Sequence, residues 1–165
     1  MAYTLKVEGL EELSKMLTAM GDRAPGIAAQ AVYTGAGIMR DAIESDAKSI
    51  RTAPFRYAGP GEERLPSPEE KDIVMRAGAG IAKFDKNGTE VQTSVGYSNS
   101  GYDMLNGKRK PVPVIVNAIN SGTSFMRKQA FVRNAARKAK DRTERAMTEV
   151  IETAFEAITN GKTED

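Results

Sequence analysis

Cysteine, histidine and tryptophan are all absent from this 165-residue chain. Without Cys there is no disulfide and no thiol nucleophile, and without His there is no Ser-His-Asp or Cys-His catalytic arrangement. The same two absences exclude the Cys and His ligand sets of zinc sites. The chemistry left to an enzyme rests on carboxylates, Lys, Ser and Tyr, and the sequence shows no constellation of these. We therefore expect a protein that is not an enzyme, with no catalytic residues, no metal site and no cofactor.

Long apolar runs are also missing, and the charges nearly balance. No run approaches the ~20 residues that a membrane-spanning helix needs, and the N-terminus lacks the basic-then-apolar pattern of a signal peptide. The 24 Lys and Arg residues face 22 Asp and Glu residues, for a net charge of +2, so nucleic-acid binding would have to rest on a local cluster. We expect one soluble domain over residues 1–165, in a cytoplasm and without a membrane partner.

The first fifty residues show a strand pattern followed by two helical patterns. Residues 3–7 alternate between apolar and polar, which predicts a short half-buried strand. Apolar residues then recur at helical spacing over 10–20 and again over about 26–50. The stripe of the second helix consists of Ile27, Ala31, Gly35, Ile38, Ala42 and Ile43. Gly35 and Gly37 each cost about 1 kcal/mol in a helix interior, which indicates close backbone approach or a kink.

The middle of the chain changes composition twice. Residues 51–70 carry four prolines, too many for a helix or a ladder strand, so we predict a flexible loop. A loop of this length in a compact domain usually has a role, or orders on assembly. A β region is predicted over 72–122, with its best hairpin signal at Asn87-Gly88 and a further strand over 112–122.

Together these patterns predict an α+β fold. A small, mostly antiparallel sheet is expected to pack against two N-terminal helices, within 9–50, and one long C-terminal helix over 128–160. A second polar, Gly-rich loop is predicted over 99–110. At 1.5 Å per residue a helix of ~30 residues is ~45 Å long, more than so small a domain needs. We expect that helix to project or to pack against a neighbour.

The segment "NSGTSFMRKQAFVR", residues 120–133, is predicted to be a strand-to-helix joint. Gly122 permits the turn, and Thr123 or Ser124 is placed to cap backbone N–H groups of the coming helix. Phe131 is expected to anchor the first turn of that helix to the core. The joint is therefore interpreted as structural and not as a ligand-binding loop.

A basic segment follows the joint, and two interpretations of it remain open. The candidate contact residues in it are Arg127, Lys128, Arg133, Arg137, Lys138 and Arg142. They lie on all sides of a helix instead of on one stripe, and aromatic residues among them are sparse. The later part of the helix is acidic, so the basic part of one subunit could face the acidic part of the next. Contact with DNA or RNA phosphates is the alternative.

Two other stretches resemble enzyme motifs only superficially. The paired carboxylates at 62–63 and 69–70 lie in the Pro-rich segment without spacing for a metal or a buried pair, so we interpret them as solvated charges. The Gly-Ala-Gly at 78–80 lacks the Lys-Ser/Thr step of a P-loop and the third glycine of a dinucleotide fold. Flexible β-structure is the better interpretation.

The order of several short motifs resembles the tail-component family of long-tailed bacteriophages typified by the tenth gene product of phage Hong Kong 97. The matching motifs are Gly9-Leu10-Glu11-Glu12-Leu13, Ala47-Lys48 with Ala53-Pro54, Gly122-Thr123-Ser124, and Phe131-Val132-Arg133 with Ala135. The resemblance covers nearly the whole chain. This sequence departs from the family at Ala130, where Pro is common, and in longer loops at 55–70 and 99–110.

The resemblance implies a non-enzymatic virion protein of the neck, tail-completion or head–tail joining type. It implies an oligomeric ring, with a hexamer as the first expectation, that contacts head-completion or connector proteins and tail-tube proteins. Transient contact with phage DNA is a further expected interaction, which rests on the basic segment and not on the resemblance. The expected location is the host bacterial cytoplasm during assembly and then the head–tail junction of the virion. A DNA- or RNA-binding accessory protein that uses the basic half of the last helix is the alternative.

Overall fold

A computed structural model describes residues 2–5, 21–87, 90–98 and 100–160. The helices are α1 (Ala24–Lys48), α2 (Pro68–Ala77), α3 (Val112–Ser121) and α4 (Phe131–Asn160), and a short 3-10 turn, Gly21–Arg23, precedes α1. The strands are β1 (Ala2–Leu5), β2 (Gly80–Ile81), β3 (Asp85–Asn87), β4 (Glu90–Gly96), β5 (Tyr102–Leu105) and β6 (Lys108–Pro111). The helix predicted over 10–20 lies outside the described residues.

The two long helices, α1 and α4, form the frame of the molecule. They pack antiparallel along most of their lengths, since Asp46 near the end of α1 meets Lys138 near the start of α4. Their buried stripes step by four residues, which is the i±4n ridge of helix–helix packing. The stripe of α1 is Ala31, Gly35, Met39, Ile43 and Ala47, and that of α4 is Phe131, Ala135, Ala139, Thr143, Met147 and Ile151. The long C-terminal helix is therefore confirmed, and it lies against α1 instead of projecting.

Close packing explains one of the two glycines of α1. A Cβ on Gly35 would stand 2.6 Å from Sδ and 2.8 Å from Cγ of Met147, so the approach of the two helices requires a residue without a side chain. A Cβ on Gly37 would meet nothing within 4 Å. Close approach is confirmed at the first glycine and does not occur at the second.

Two small antiparallel sheets complete the α+β fold. Strand β4 is the centre of the first sheet and pairs with β1 on one side and with β2 and β3 on the other. The predicted hairpin at Asn87 is confirmed, because Asn87 on β3 is the register partner of Glu90 on β4. Strands β5 and β6 form a separate two-stranded hairpin.

Two segments predicted as strands are helices, and the loop predicted over 51–70 is shorter because α2 begins at Pro68. Residues 72–77 belong to α2, which begins with Ser67 as N-cap, Pro68 in its first turn and a capping box completed by Glu70. The segment predicted as a strand over 112–122 is α3, whose buried residues follow a helical period. Both segments contain β-branched residues, which favour strands. The helix-start signals and the helical period outweigh that preference, and both segments are helical.

The predicted polar loop at 99–110 is also wrong, because it contains the β5–β6 hairpin. Leu105 pairs with Lys108, so the turn consists of Asn106 and Gly107. Both have positive φ, 51° and 71°, as a two-residue type I′ hairpin turn requires. Within the described part of the chain, no helix is long and apolar enough to cross a membrane.

Candidate assembly surface

The joint between α3 and α4 depends on a glycine. Gly122 ends α3 with φ +77° and ψ 168°, a backbone conformation that glycine adopts readily and other residues do not, and its N–H donates to the carbonyl of Ala118 at 3.0 Å. A Cβ at this position would stand 3.1 Å from Cβ of Lys128 and 3.2 Å from the carbonyl oxygen of Met126. The predicted role of Gly122 as the turning residue is confirmed, although the element before it is a helix and not a strand.

The hydroxyl group of Thr123 caps the turn itself and not the following helix. Thr123 Oγ1 accepts from the backbone N–H of Phe125 at 3.3 Å and from that of Met126 at 3.0 Å. The cap of α4 comes from buried Asn120, whose Oδ1 accepts from the N–H of Val132 at 3.1 Å. The predicted helix cap at Thr123 or Ser124 is therefore wrong, and Ser124 is exposed.

Phe131 is buried at the start of α4, as predicted. Its ring meets that of Tyr97 edge-on, with centroids 6.3 Å apart and planes at 68°. Tyr97 is itself buried, and this burial, assisted by the charge of Glu44, raises the pKa of its hydroxyl to about 12. Phe131 thus fixes the first turn of α4 against the residue that directly follows β4 in the chain.

Residues 51–67, here called the arm, are docked on this joint. The N–H of Arg64 donates to the carbonyl of Phe125, and the N–H of Arg127 donates to the carbonyl of Arg64, both at 2.9 Å. These two bonds form a short parallel bridge between arm and joint. The segment predicted as a flexible loop over 51–70 is therefore tied to the joint by backbone hydrogen bonds, and its last three residues, 68–70, belong to α2.

A buried ion pair holds the base of the arm. The guanidinium of Arg64 binds both carboxylate oxygens of Glu70 at 2.6 Å, and Glu70 also accepts from the N–H of Ser67 at 2.7 Å. Burial works against the charge of Glu70, but the bonds from Arg64 and Ser67 outweigh it and lower the pKa of the carboxyl. The interpretation of Glu70 as a solvated charge is wrong, because its side chain is only 6% exposed.

Further polar contacts join the first residue of the arm to the joint, and join α2, which follows the arm, to the C-terminal end of α1. The side-chain amide of Gln129 both accepts from the N–H and donates to the carbonyl of Arg51, each at 2.8 Å. The ammonium of Lys71 donates to the carbonyls of Lys48 at 2.7 Å and Ile50 at 2.9 Å, at the C-terminal end of α1. Sequence reasoning missed these contacts, since no local pattern marks pairs of residues so far apart in the chain.

The tip of the arm presents an aromatic pair to solvent. Tyr57 is 91% exposed and Phe55 is 48% exposed, and their rings meet edge-on with centroids 5.7 Å apart. The guanidinium of Arg64 lies 5.0 Å from the ring centroid of Phe55, which links the tip to the buried ion pair at its base. Two large rings are thereby held on a braced segment outside the core.

The six basic candidates do not form one patch. Lys138 binds both oxygens of Asp46 on α1, at 2.9 and 3.0 Å, so it holds the two helices together. Lys128 and Lys138 line the same open groove of about 430 Å³, beside Gln129. Four of the six side chains belong to neither of these arrangements and are exposed: Arg127, Arg133, Arg137 and Arg142.

The acidic half of α4 forms a surface of its own. An open groove of about 440 Å³ follows one side of the helix over 141–152. Its lining residues are Asp141, Glu144, Arg145, Thr148, Glu149 and Glu152. Four carboxylates against one guanidinium make this groove acidic. It is named the acidic groove below.

The described residues hold no group of three or more Asp, Glu, His or Cys side chains arranged to bind a metal ion. In comparisons with known proteins, no family model, curated protein or solved structure matches the chain. Function is therefore inferred from the surfaces described above together with the sequence motifs.

Proposed function

We propose that this protein is a structural component of the head–tail junction of a long-tailed bacteriophage or prophage. It completes or joins the tail as an oligomeric ring, for which a hexamer is the first expectation. It meets head-completion or connector proteins on one side and tail-tube proteins on the other, first in the host cytoplasm and then in the virion. The motif order that resembles the phage tail-component family supports this identification, and the arm supports a role in assembly.

The observation that carries the proposal is the braced arm with its exposed aromatic tip. Large aromatic side chains are enriched at protein–protein interfaces, where they bury area at a low cost in conformational entropy. The arm holds Phe55 and Tyr57 outside the core, and its base is fixed by the buried pair of Arg64 and Glu70. Because the base is already ordered, a partner that covers the tip has little chain entropy left to remove.

Deletion of the gene from the phage or prophage that carries it tests the proposal. We expect separate heads and tails by negative-stain electron microscopy, and loss of infectious particles. A plasmid copy of the gene should restore joined particles. Normal infectious particles from the deletion strain would refute the proposal.

A matched pair of variants tests the arm within the same experiment. Phe55→Ser with Tyr57→Ser removes both rings of the tip, and the plasmid copy carrying it should fail to restore joined particles. Tyr33→Ser is the control, since Tyr33 is also an exposed aromatic residue but lies on α1 beside Phe84. Full complementation by the tip variant would contradict a role of the arm in assembly.

The alternative, a nucleic-acid-binding accessory protein, is kept because Arg133 and Arg137 are exposed on successive turns of α4. It predicts that the wild type binds duplex DNA with a steep salt dependence, and that each arginine removed from a phosphate lowers the logarithmic salt slope by about one unit. A gel-shift titration at several salt concentrations, with Arg133→Ala and Arg137→Ala, separates the two functions. No DNA binding by the wild type, or binding that the two substitutions leave unchanged, favours the structural role.

A further inference from the structure

The buried core of the helix pair is divided at the point where Gly35 of α1 faces Thr143 of α4. On the side of the joint lies the main cluster, which extends along α1 from Ala36 onwards and along α4 as far as Ala139. On the other side lies a second cluster, here called the distal cluster, which consists of Ala31, Val32, Val91, Met147 and Ile151. Among the described residues, every buried apolar side chain belongs to one of these two clusters.

The division contains a glycine and an unpaired hydroxyl group. Gly35 has no side chain, and the Cγ2 methyl of Thr143 lies 3.0 Å from the point where a Cβ of Gly35 would stand. Thr143 is 2% exposed, and within the described part of the chain its hydroxyl is the one buried side-chain polar atom without a hydrogen-bond partner. A hydroxyl that has lost water without gaining a bond is unfavourable. The contact between the two helices is therefore weakened at this level.

The two clusters also differ in the number of elements that support them. The main cluster takes buried residues from all four helices and from β4. The buried residues of the distal cluster come from α1, α4 and the first part of β4. Regions with few buried apolar contacts open at a lower free energy than the whole molecule. Of the two clusters, the distal one should therefore open first.

The helix segments beyond the division depend on each other for their structure. The segment of α1 before Gly35 is shorter than the ~12–15 residues below which an isolated helix is marginal in water. The segment of α4 after Thr143 carries most of the acidic groove, and its last turn holds no basic residue to offset the negative end of the helix dipole. Neither segment has enough helix stability of its own, so both should unwind when the contact between them is lost.

We propose that the distal cluster opens as a unit, with the division at Gly35 and Thr143 as its boundary, while the main cluster stays folded. The two helix segments part and unwind, and the apolar side chains between them become accessible to solvent. The arm stays docked, because it binds at the start of α4, about 30 Å from Ile151 at 1.5 Å per residue. The molecule thus has one fixed end and one end that opens, and this inference does not rest on the proposed function.

Native-state hydrogen exchange measured by mass spectrometry tests the opening, under conditions in which the exchange rate reports the opening equilibrium. Peptides from residues 27–34 and 147–157 report on the distal cluster, and peptides from 112–121 and 131–139 report on the main cluster. In the wild type the two distal peptides should share one opening free energy, which is lower than that of the two main-cluster peptides.

A truncation in the main cluster separates local opening from global unfolding. Ile73→Val shortens a fully buried side chain of α2 and should speed exchange in the main-cluster peptides about fivefold. It should leave the rates of the distal peptides unchanged, because the distal opening breaks no contact of Ile73. Equal acceleration in both sets of peptides would show that the molecule opens as one unit, and the inference would be overturned.

Thr143→Val tests the division itself. The substitution replaces the unpaired hydroxyl by a methyl group of similar shape, and it should slow exchange in the distal peptides about tenfold. Thr148→Val is the matched control on the same helix, since Thr148 is exposed and its hydroxyl donates to the carbonyl of Glu144 at 3.0 Å. The control should change the distal rates by no more than about twofold. Distal rates that are as fast in Thr143→Val as in the control would contradict a boundary at Thr143.

Discussion

The helix pair and the arm are held in place by different chemistry. Along α1 and α4 the contacts come from buried, mostly apolar residues that repeat every four positions, and the small ones among them bring the helices close together. At the arm the contacts are directional and polar: a buried ion pair, a paired amide and backbone bonds. The stability that apolar packing contributes decreases gradually as atoms are removed. A buried charge that loses its partner destabilises the fold strongly with a single substitution. The arm should therefore be the more sensitive region to single substitutions.

Breaking the ion pair should have one of the two largest effects. Arg64→Met leaves the carboxylate of Glu70 buried without its partner, and we expect a loss of about 3–5 kcal/mol in the free energy of unfolding. Urea denaturation at pH 7 measures it. Replacing both partners, as Arg64→Met with Glu70→Leu, should recover most of that loss, because no buried charge remains.

The pH dependence of the stability of Arg64→Met tests the buried charge of Glu70 in a second way. In the wild type the pKa of Glu70 is lowered, so its contribution is present above the ordinary pKa of a carboxyl and is lost as pH falls through the lowered value. In Arg64→Met the bonds from Ser67 remain, but burial is the largest influence and favours the neutral acid, so we expect the pKa of Glu70 to be raised instead of lowered. The stability deficit of the variant should then narrow as pH falls from 7 to about 4. A deficit that does not change with pH would contradict a buried charge at this position.

The joint provides a comparison between an apolar anchor and an exposed charge. Phe131→Ala should cost about 3–5 kcal/mol, because it removes a buried ring that packs on Tyr97. Arg127→Ala should change stability by less than about 0.5 kcal/mol, because only its backbone bonds to the arm. Thermal and urea unfolding of the two variants measure the difference. Equal soluble yield, stability and assembly of the two variants would show that the side chain of Phe131 does not anchor α4.

The helix pair can be tested with two glycines on the same helix. Gly35→Ala should destabilise by about 1–2 kcal/mol, because overpacking against Met147 exceeds the gain in helix propensity. Gly37→Ala meets nothing within 4 Å and should stabilise by up to about 1 kcal/mol. Opposite signs in urea denaturation would support close approach at Gly35. Stabilisation by both substitutions would mean that the helices tolerate a side chain there.

The smallest effect is expected at the exposed end of the helix pair. Lys138→Met removes the ion pair with Asp46, in which the lysine side chain is 66% exposed, and should cost about 0.2–1 kcal/mol. Lys140→Met is the control, since its pair with Glu144 lies within one helix at 3.8 Å. Most of the difference in unfolding free energy between the two variants should disappear in 1 M salt, where the Debye length is about 3 Å. A loss of the size expected for Arg64→Met would erase the contrast between exposed and buried pairs.

The difference between the two regions also explains which parts of the structure could be predicted. Long amphipathic periods predicted α1 and α4, and a glycine within the first of them indicated a close approach without identifying the partner, because those signals are local. The contacts of the arm join residues far apart in sequence, such as Arg51 and Gln129, and no local pattern marks them. Helices α2 and α3 were missed for another reason: their β-branched residues suggested strands, although Ser67-Pro68 with Glu70 was a readable helix start. Asn106-Gly107 likewise carried the hairpin signal that was used only at Asn87-Gly88.

In-vitro complementation tests the structural role at the head–tail junction most directly. An extract of the deletion strain, which should contain separate heads and tails, is mixed with the purified protein and examined by negative-stain electron microscopy and by plaque assay. We predict that wild-type protein converts heads and tails into joined, infectious particles, and that Phe55→Ser with Tyr57→Ser, folded but without its aromatic tip, does not. Heads and tails that stay separate after addition of folded wild-type protein would contradict the structural role proposed for this chain.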